Sequence, residues 1–147
     1  MRFDKAHYLT EMAALVRQAF KSFQSVEPTA RAYVVSIWTD PDAAASSVSV
    51  ETRHHTAEFI GTVDGFNDSP ADFQYRDLAE CDHASFPPLW EERTSGECWD
   101  VLEPALLEVA KDALSVFSAC SLEENAILGV NGRRDWFEHR FSLQYAA

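Results

Sequence analysis

Between Phe3 and Phe23, the apolar residues Leu9, Met12, Val16, Phe20 and Phe23 recur at three- and four-residue steps. That spacing sets them on one face of an amphipathic helix. Glu11, Arg17 and Lys21 fall off the face, and the proline of "SVEPTA" ends it. The pattern then changes period. "RAYVVSIWTD" is dense in β-branched and aromatic residues and predicts a strand. Tyr33, Val35 and Ile37 are expected on one side and Val34 and Trp38 on the other, so both faces should be covered. "SSVSVET" alternates, with Val48 and Val50 inward, and "TDPDAAA" joins the two strands as a hairpin. "HHTAEFIGTV" predicts a short helix ending near Gly61 or Gly65.

"DGFNDSPADF" has the composition of a loop, "FQYRDL" of a short strand, and "SFPPLWEER" of a turn leading into a short helix. Trp99, Leu102, Leu106, Ala110, Leu114 and Phe117 again hold helical spacing. They predict a second long helix starting at about Glu97 or Pro104, with the proline in the first turn or at a kink. "ENAILGVNG" reads as a strand and turn. In "WFEHRFSLQY", Phe137, His139, Phe141, Leu143 and Tyr145 alternate as a final strand would, with a terminal helix as the competing reading. The order predicts one α+β domain over residues 1–147, its helices packed on one face of a mostly antiparallel sheet. No repeat, linker or low-complexity tract interrupts it.

Composition supports a packed core. Hydrophobic residues make up 46% of the 147 and aromatics 12%. No apolar run approaches the roughly 18 residues of a membrane span, and "MRFDKAHYLTEM" lacks the form of a signal peptide. Cys81, Cys98 and Cys120 are odd in number and widely spaced. They form no disulfide framework, so a reducing, cytoplasmic setting is expected.

Charge changes the picture more. The net charge is −12. From Asp40 to Glu103 there are 15 Asp and Glu against three Arg, whereas the flanks carry nine of each sign. The whole excess lies in the middle of the chain. Such a field repels nucleic acid and favours a basic partner or a cation.

Catalytic patterns are weak. His54, His55, Cys81, Asp82 and His83 are ligand types that zinc uses, but without CxxC or HxxxH spacing. Adjacent residues on a strand point to opposite faces, so His54 and His55 would not chelate together. They read as surface or loop residues, and no cofactor is implied. There is no GxSxG elbow. Cys98 and Cys120 read as small packing residues, and Cys81 among acids as a poor thiolate. Acid pairs such as Glu91–Glu92 and Asp40/Asp42 carry little information among 24 acids. "GVNGRR" matches no phosphate-binding loop.

What remains is "DFQYRDLAECDHASFPPLWEE", Asp72 to Glu92. Asp72, Asp77, Glu80, Asp82, Glu91 and Glu92 supply charge that steers an encounter. Tyr75, Phe86 and Trp90 supply candidate anchors. The alternative is that Phe86, Leu89 and Trp90 belong to the core and the acids form a wet helix side.

The run from "AYVVSIWTDPDAAASSVSVET" to "FPPLWEE", behind a leading amphipathic helix, resembles the DUF4303-type bacterial proteins of unknown function. More loosely, the chain is similar to small acidic immunity proteins of bacterial toxin systems. The resemblance implies a cytoplasmic α+β domain that neutralises a toxin. On this reading the chain is a non-enzymatic immunity-type inhibitor that covers the cleft of a basic toxin domain, such as a nuclease. It would bind neither nucleic acid nor membrane. Two alternatives stand beside it: a nucleic-acid mimic directed at a host DNA-binding enzyme, and a metal-dependent enzyme using His54, His55, Asp82 and His83.

Overall fold

The computed structural model describes residues 3–26, 28–29, 31–40, 45–62, 65–83, 95–135 and 137–143. Helix α1 spans Lys5–Val26. The Asp4 carboxylate accepts the backbone N–H of His7 at 3.0 Å and caps its start. Strands β1 (Ala32–Thr39) and β2 (Ala45–Glu51) follow, then helix α2 (Arg53–Ile60), a 3-10 turn (Pro70–Asp72) and strand β3 (Tyr75–Asp82). Helix α3 runs from Ser95 to Phe117, and strands β4 (Leu122–Val130) and β5 (His139–Ser142) close the fold. The sheet order is β3-β2-β1-β4-β5. Three neighbouring pairs are antiparallel and one, β1 with β4, is parallel. The molecule is therefore α+β, with a mostly antiparallel sheet.

The main core lies between the two long helices and one sheet face. Helix α1 contributes Tyr8, Met12, Leu15, Val16, Ala19 and Phe23. Leu9 and Phe20, expected on its buried face, sit at the margin and are only partly covered. The sheet contributes Val35, Ile37, Val48, Val50, Leu128 and Val130, and α3 contributes Trp99, Leu102, Leu106, Ala110 and Phe117. Val48 and Val50 thus point inward as their alternation predicts. Pro104 lies inside α3 and not in its first turn. A mid-helix proline costs about 3 kcal/mol. Each fully buried Leu or Phe returns about 2 kcal/mol, so the apolar seam of α3 carries the helix across it.

The second face of the sheet has a smaller core made by Tyr33, Val34, Phe73 and Phe137, with Phe66 and Ile127 against it. Tyr33 was expected beside Val35 and Ile37. It packs instead with Val34, because the β1–β4 register shifts between Ala32 and Val34 and breaks the strict two-residue alternation. Gly129 leaves room for this cluster: a Cβ there would stand 1.8 Å from the Phe137 ring. Phe137 lies on the opposite side from Phe141 and Leu143, since β5 begins only at His139. Of the final segment, His139–Ser142 is strand.

Helix α2 meets this second cluster through Arg53, whose guanidinium lies 4.7 Å from the Tyr33 ring centroid. Thr52 caps it by accepting the His55 N–H, and Gly61, with φ 83°, ends it. Glu51, fully buried, ties the region to the sheet. Its carboxylate accepts Asn67 Nδ2 at 2.7 Å and the backbone N–H groups of Thr52 and Gln74, and meets His55 Nδ1 at 2.9 Å.

Candidate functional site

Part of the second sheet face stays open, and the reason is legible in β2. Its inward positions are Val48 and Val50, but the alternate positions are Ser47 and Ser49. Opposite them on β1 stand Trp38 and Ser36. Serines in place of branched apolar residues leave an unfilled groove of about 650 Å³. Trp38, Ser47 and Ser49 line it from the sheet, Pro70 and Ala71 from the 3-10 turn, and Arg76, Asp77, Glu80 and Asp82 from edge strand β3.

A bulge shapes the acidic rim. Val48 pairs with Ala79 but Val50 with Tyr75, so Arg76, Asp77 and Leu78 together oppose Ser49. Asp77 takes a left-handed backbone (φ 49°), and its N–H donates to Ser49 Oγ at 2.9 Å. The bulge turns the side chains of this stretch relative to a regular strand. Arg76, Asp77, Glu80 and Asp82 are all exposed. Three carboxylates and one guanidinium give the rim a net negative charge.

Of the residues singled out in the sequence, the structure therefore brings together Asp77, Glu80 and Asp82. Asp72 sits apart in the 3-10 turn, where its carboxylate accepts the Ser69 hydroxyl at 2.7 Å. Tyr75 points to the helix side and packs edge-on against Phe23, with ring centroids 5.6 Å apart. The aromatic beside the acids is Trp38, half-buried in the groove wall. Sequence reasoning had read Trp38 only as a strand residue. Phe86, Trp90, Glu91 and Glu92 lie outside the described residues.

A second constellation lies on the helix side, at the end of β3. Residues two apart on a strand share a face, so Cys81 and His83 point together toward α1 while Asp82 faces the groove. His83 is buried. Its Nε2 is 2.7 Å from Ser46 Oγ, which in turn is 2.8 Å from Thr39 Oγ1. Its Nδ1 is 2.9 Å from Glu11 Oε1. The Cys81 thiol donates to the same Glu11 oxygen at 3.5 Å and lies 3.9 Å from His83 Nδ1. His7 Nε2 holds the other Glu11 oxygen at 3.0 Å, and the Tyr8 ring lies 5.6 Å from the imidazole.

Electrostatics follow from this crowding. Burial pushes the Cys81 thiol up to about 11, and the charge and hydrogen bond of Glu11 and the charge of Asp82 add to it. Tyr8 is raised as well, first by burial and then by Cys81 and Glu11. Glu11 is raised by burial, but the hydrogen bonds from His83 and Cys81 and the charges of His83 and His7 together outweigh this and leave it below the ordinary carboxylate range.

Ser46, His83 and Glu11 have the order and spacing of a nucleophile, base and orienting acid. Ser46, however, is 1% exposed, and its hydroxyl is occupied by both Thr39 and His83. In this arrangement the Ser46 hydroxyl, held between Thr39 and His83, orients the imidazole. The histidines proposed as joint metal ligands are separated into different contacts. His54 pairs with Glu58 on the exposed side of α2, and His55 meets Glu51. Among the described residues, the groups that could converge on an ion are Glu11/Cys81/His83 and Glu103/Glu138/His139, and neither includes His54, His55 or Asp82.

No helix among the described residues is long and apolar enough to cross a membrane. All three cysteines are free thiols. Compared with protein-family models, curated proteins and solved structures, the chain finds no match.

Proposed function

We propose that this protein is a non-enzymatic binding protein whose acidic groove receives a basic segment of a partner protein. An immunity-type inhibitor seated on the cleft of a basic toxin domain is the specific form of that function. The observation that carries the reading is the convergence of Asp77, Glu80 and Asp82 on one rim of an open groove with Trp38 in its wall. Carboxylates on an exposed edge accelerate encounter with a cationic surface. A half-buried indole offers the apolar contact that slows dissociation. The remainder of the acidic excess lies in the same middle region of the chain and extends the field. The bulge adds a specific feature, since an irregular, charged edge discourages indiscriminate strand pairing.

The test is binding of a captured or genetically adjacent basic protein, measured by association and dissociation rates at two salt concentrations. Asp77→Lys and Glu80→Lys should each slow association several-fold at low salt, with the difference shrinking at high salt. Trp38→Ala should mainly raise the dissociation rate. A partner whose rates are indifferent to all three changes docks elsewhere, and the groove reading fails.

A further inference from the structure

We propose that Glu11 Oε1, Cys81 Sγ and His83 Nδ1 form a three-ligand site for a zinc-like divalent ion, at the junction of α1 and the end of β3. Cys81 and Ser46 also border the groove, but the ligand atoms converge on α1 and not on the acidic rim of Asp77, Glu80 and Asp82.

The ligand atoms all lie within 4.8 Å of one another. A tetrahedral zinc, with Zn–S near 2.3 Å and Zn–N and Zn–O near 2.0 Å, sets S–O and S–N separations of about 3.5 Å and an N–O separation of about 3.3 Å. The corresponding distances here are 3.5 Å for Sγ–Oε1, 3.9 Å for Sγ–Nδ1 and 2.9 Å for Nδ1–Oε1. Each differs from the tetrahedral value by about 0.4 Å or less, within the reach of a small side-chain rotation. A thiolate, an imidazole and a carboxylate suit zinc and cobalt better than magnesium or calcium, which prefer oxygen alone.

Two outer contacts complete the arrangement. A metal-bound histidine characteristically donates its other ring N–H to an acceptor that fixes its tautomer. Ser46 Oγ stands in that position at Nε2, and it can pass a hydrogen bond to Thr39. His7 holds the second oxygen of Glu11 and so orients the first toward the site. His83 is closed off from solvent, whereas Glu11 and Cys81 are partly exposed. They give an ion a way in and leave a fourth position for water or another ligand. In the metal-free protein the same atoms hydrogen-bond to each other, which holds them together before the ion arrives.

The experiment is titration of chelator-treated protein with cobalt(II), followed by zinc(II), monitored by absorption spectroscopy. The expected result is one cobalt per chain with a thiolate-to-cobalt charge-transfer band, displaced by one equivalent of zinc. Cys81→Ser should remove the band. Glu11→Gln, at a partly exposed position whose loss leaves the core intact, should weaken binding at least tenfold. Ser46→Ala should weaken it by a similar factor through the tautomer. The double variant His54→Ala/His55→Ala should bind as the parent does. Absence of the band in the parent protein, or a band that survives Cys81→Ser, overturns the proposal. None of these variants changes Trp38, Asp77, Glu80 or Asp82, on which the basic-partner reading rests, and Glu11→Gln lies outside the groove altogether, so loss of metal binding in that variant leaves the basic-partner reading standing.

Discussion

At the scale of single residues, two buried groups have consequences that can be measured. Ser36 is fully buried in β1, and its hydroxyl has no hydrogen-bond partner among the described residues. A buried unsatisfied hydroxyl carries its desolvation penalty without return. Ser36→Ala should therefore be neutral or stabilising, by up to about 1 kcal/mol, read as a shifted urea midpoint at unchanged slope. A loss of stability above that magnitude would show that the hydroxyl is engaged. The second group is Cys120, just beyond α3, whose thiol is pushed up to about 11 by burial, slightly offset by a backbone hydrogen bond. The thiolate is the reactive form and becomes abundant only as pH nears that value. At pH 8 its fraction falls on the order of a hundredfold below that of a free thiol, partly offset by higher intrinsic nucleophilicity. Alkylation of Cys120 at pH 8, followed by peptide mass spectrometry, should run roughly tenfold slower than for a free cysteine and climb steeply between pH 9 and 11. A flat rate across that range would contradict the shift.

At the scale of elements, periodicity located most of the structure. The three-and-four spacing placed α1 and α3, and alternation placed β1 and β2. It was least informative where packing is asymmetric. In α1 the buried seam runs through Tyr8, Leu15 and Ala19 as well as Met12, Val16 and Phe23, because two neighbours, α3 and the sheet, set its orientation. Strand β3 is longer than "FQYRDL" suggests, since its continuation "AECD" is polar on the outer side of an edge. Pro104 is the clearest case of a local rule overridden by packing. Its ring is exposed while Ala105 and Leu106 beside it are buried. Pro104→Ala should restore a backbone hydrogen bond and stabilise the fold by about 1–2 kcal/mol, less than the full mid-helix cost because proline also stiffens the unfolded chain. Thermal unfolding of the variant checks this, and a lower midpoint would mean that α3 depends on a bend at that position.

At the scale of the whole molecule, Glu51 joins parts that are remote in sequence. From the end of β2 it holds the start of α2, the loop at Asn67 and the entry to β3 at Gln74. Glu51→Ala would strand these donors in a buried place. We expect a loss of about 3 kcal/mol or more, with hydrogen exchange accelerating first at Thr52, Gln74 and α2. Uniform acceleration across the sheet instead would show that α2 does not open separately. The net charge of −12 also acts at this scale. It favours a cationic partner whatever the groove contributes, which is why the rate measurements above compare variants at two salt concentrations.

The amino-acid pattern alone determined the fold class, the two long helices, the central hairpin and the concentration of acids in the middle of the chain. These depend on local spacing and composition, which a chain carries before it folds. The alternation of serine and valine in β2 even held the cause of the groove, and the Cys81-x-His83 spacing held two of the three atoms proposed to bind a metal. Tertiary structure alone decided the rest. Glu11 lies 72 positions from His83, and only the packing of α1 across the end of β3 brings its carboxylate there. Trp38 joins Glu80 and Asp82 through strand register, and the bulge adds Asp77, which shares the parity of the core-facing Ala79 and Tyr75. Sites of this kind are made by contacts between elements, and contacts at long separation leave no periodic trace in the sequence.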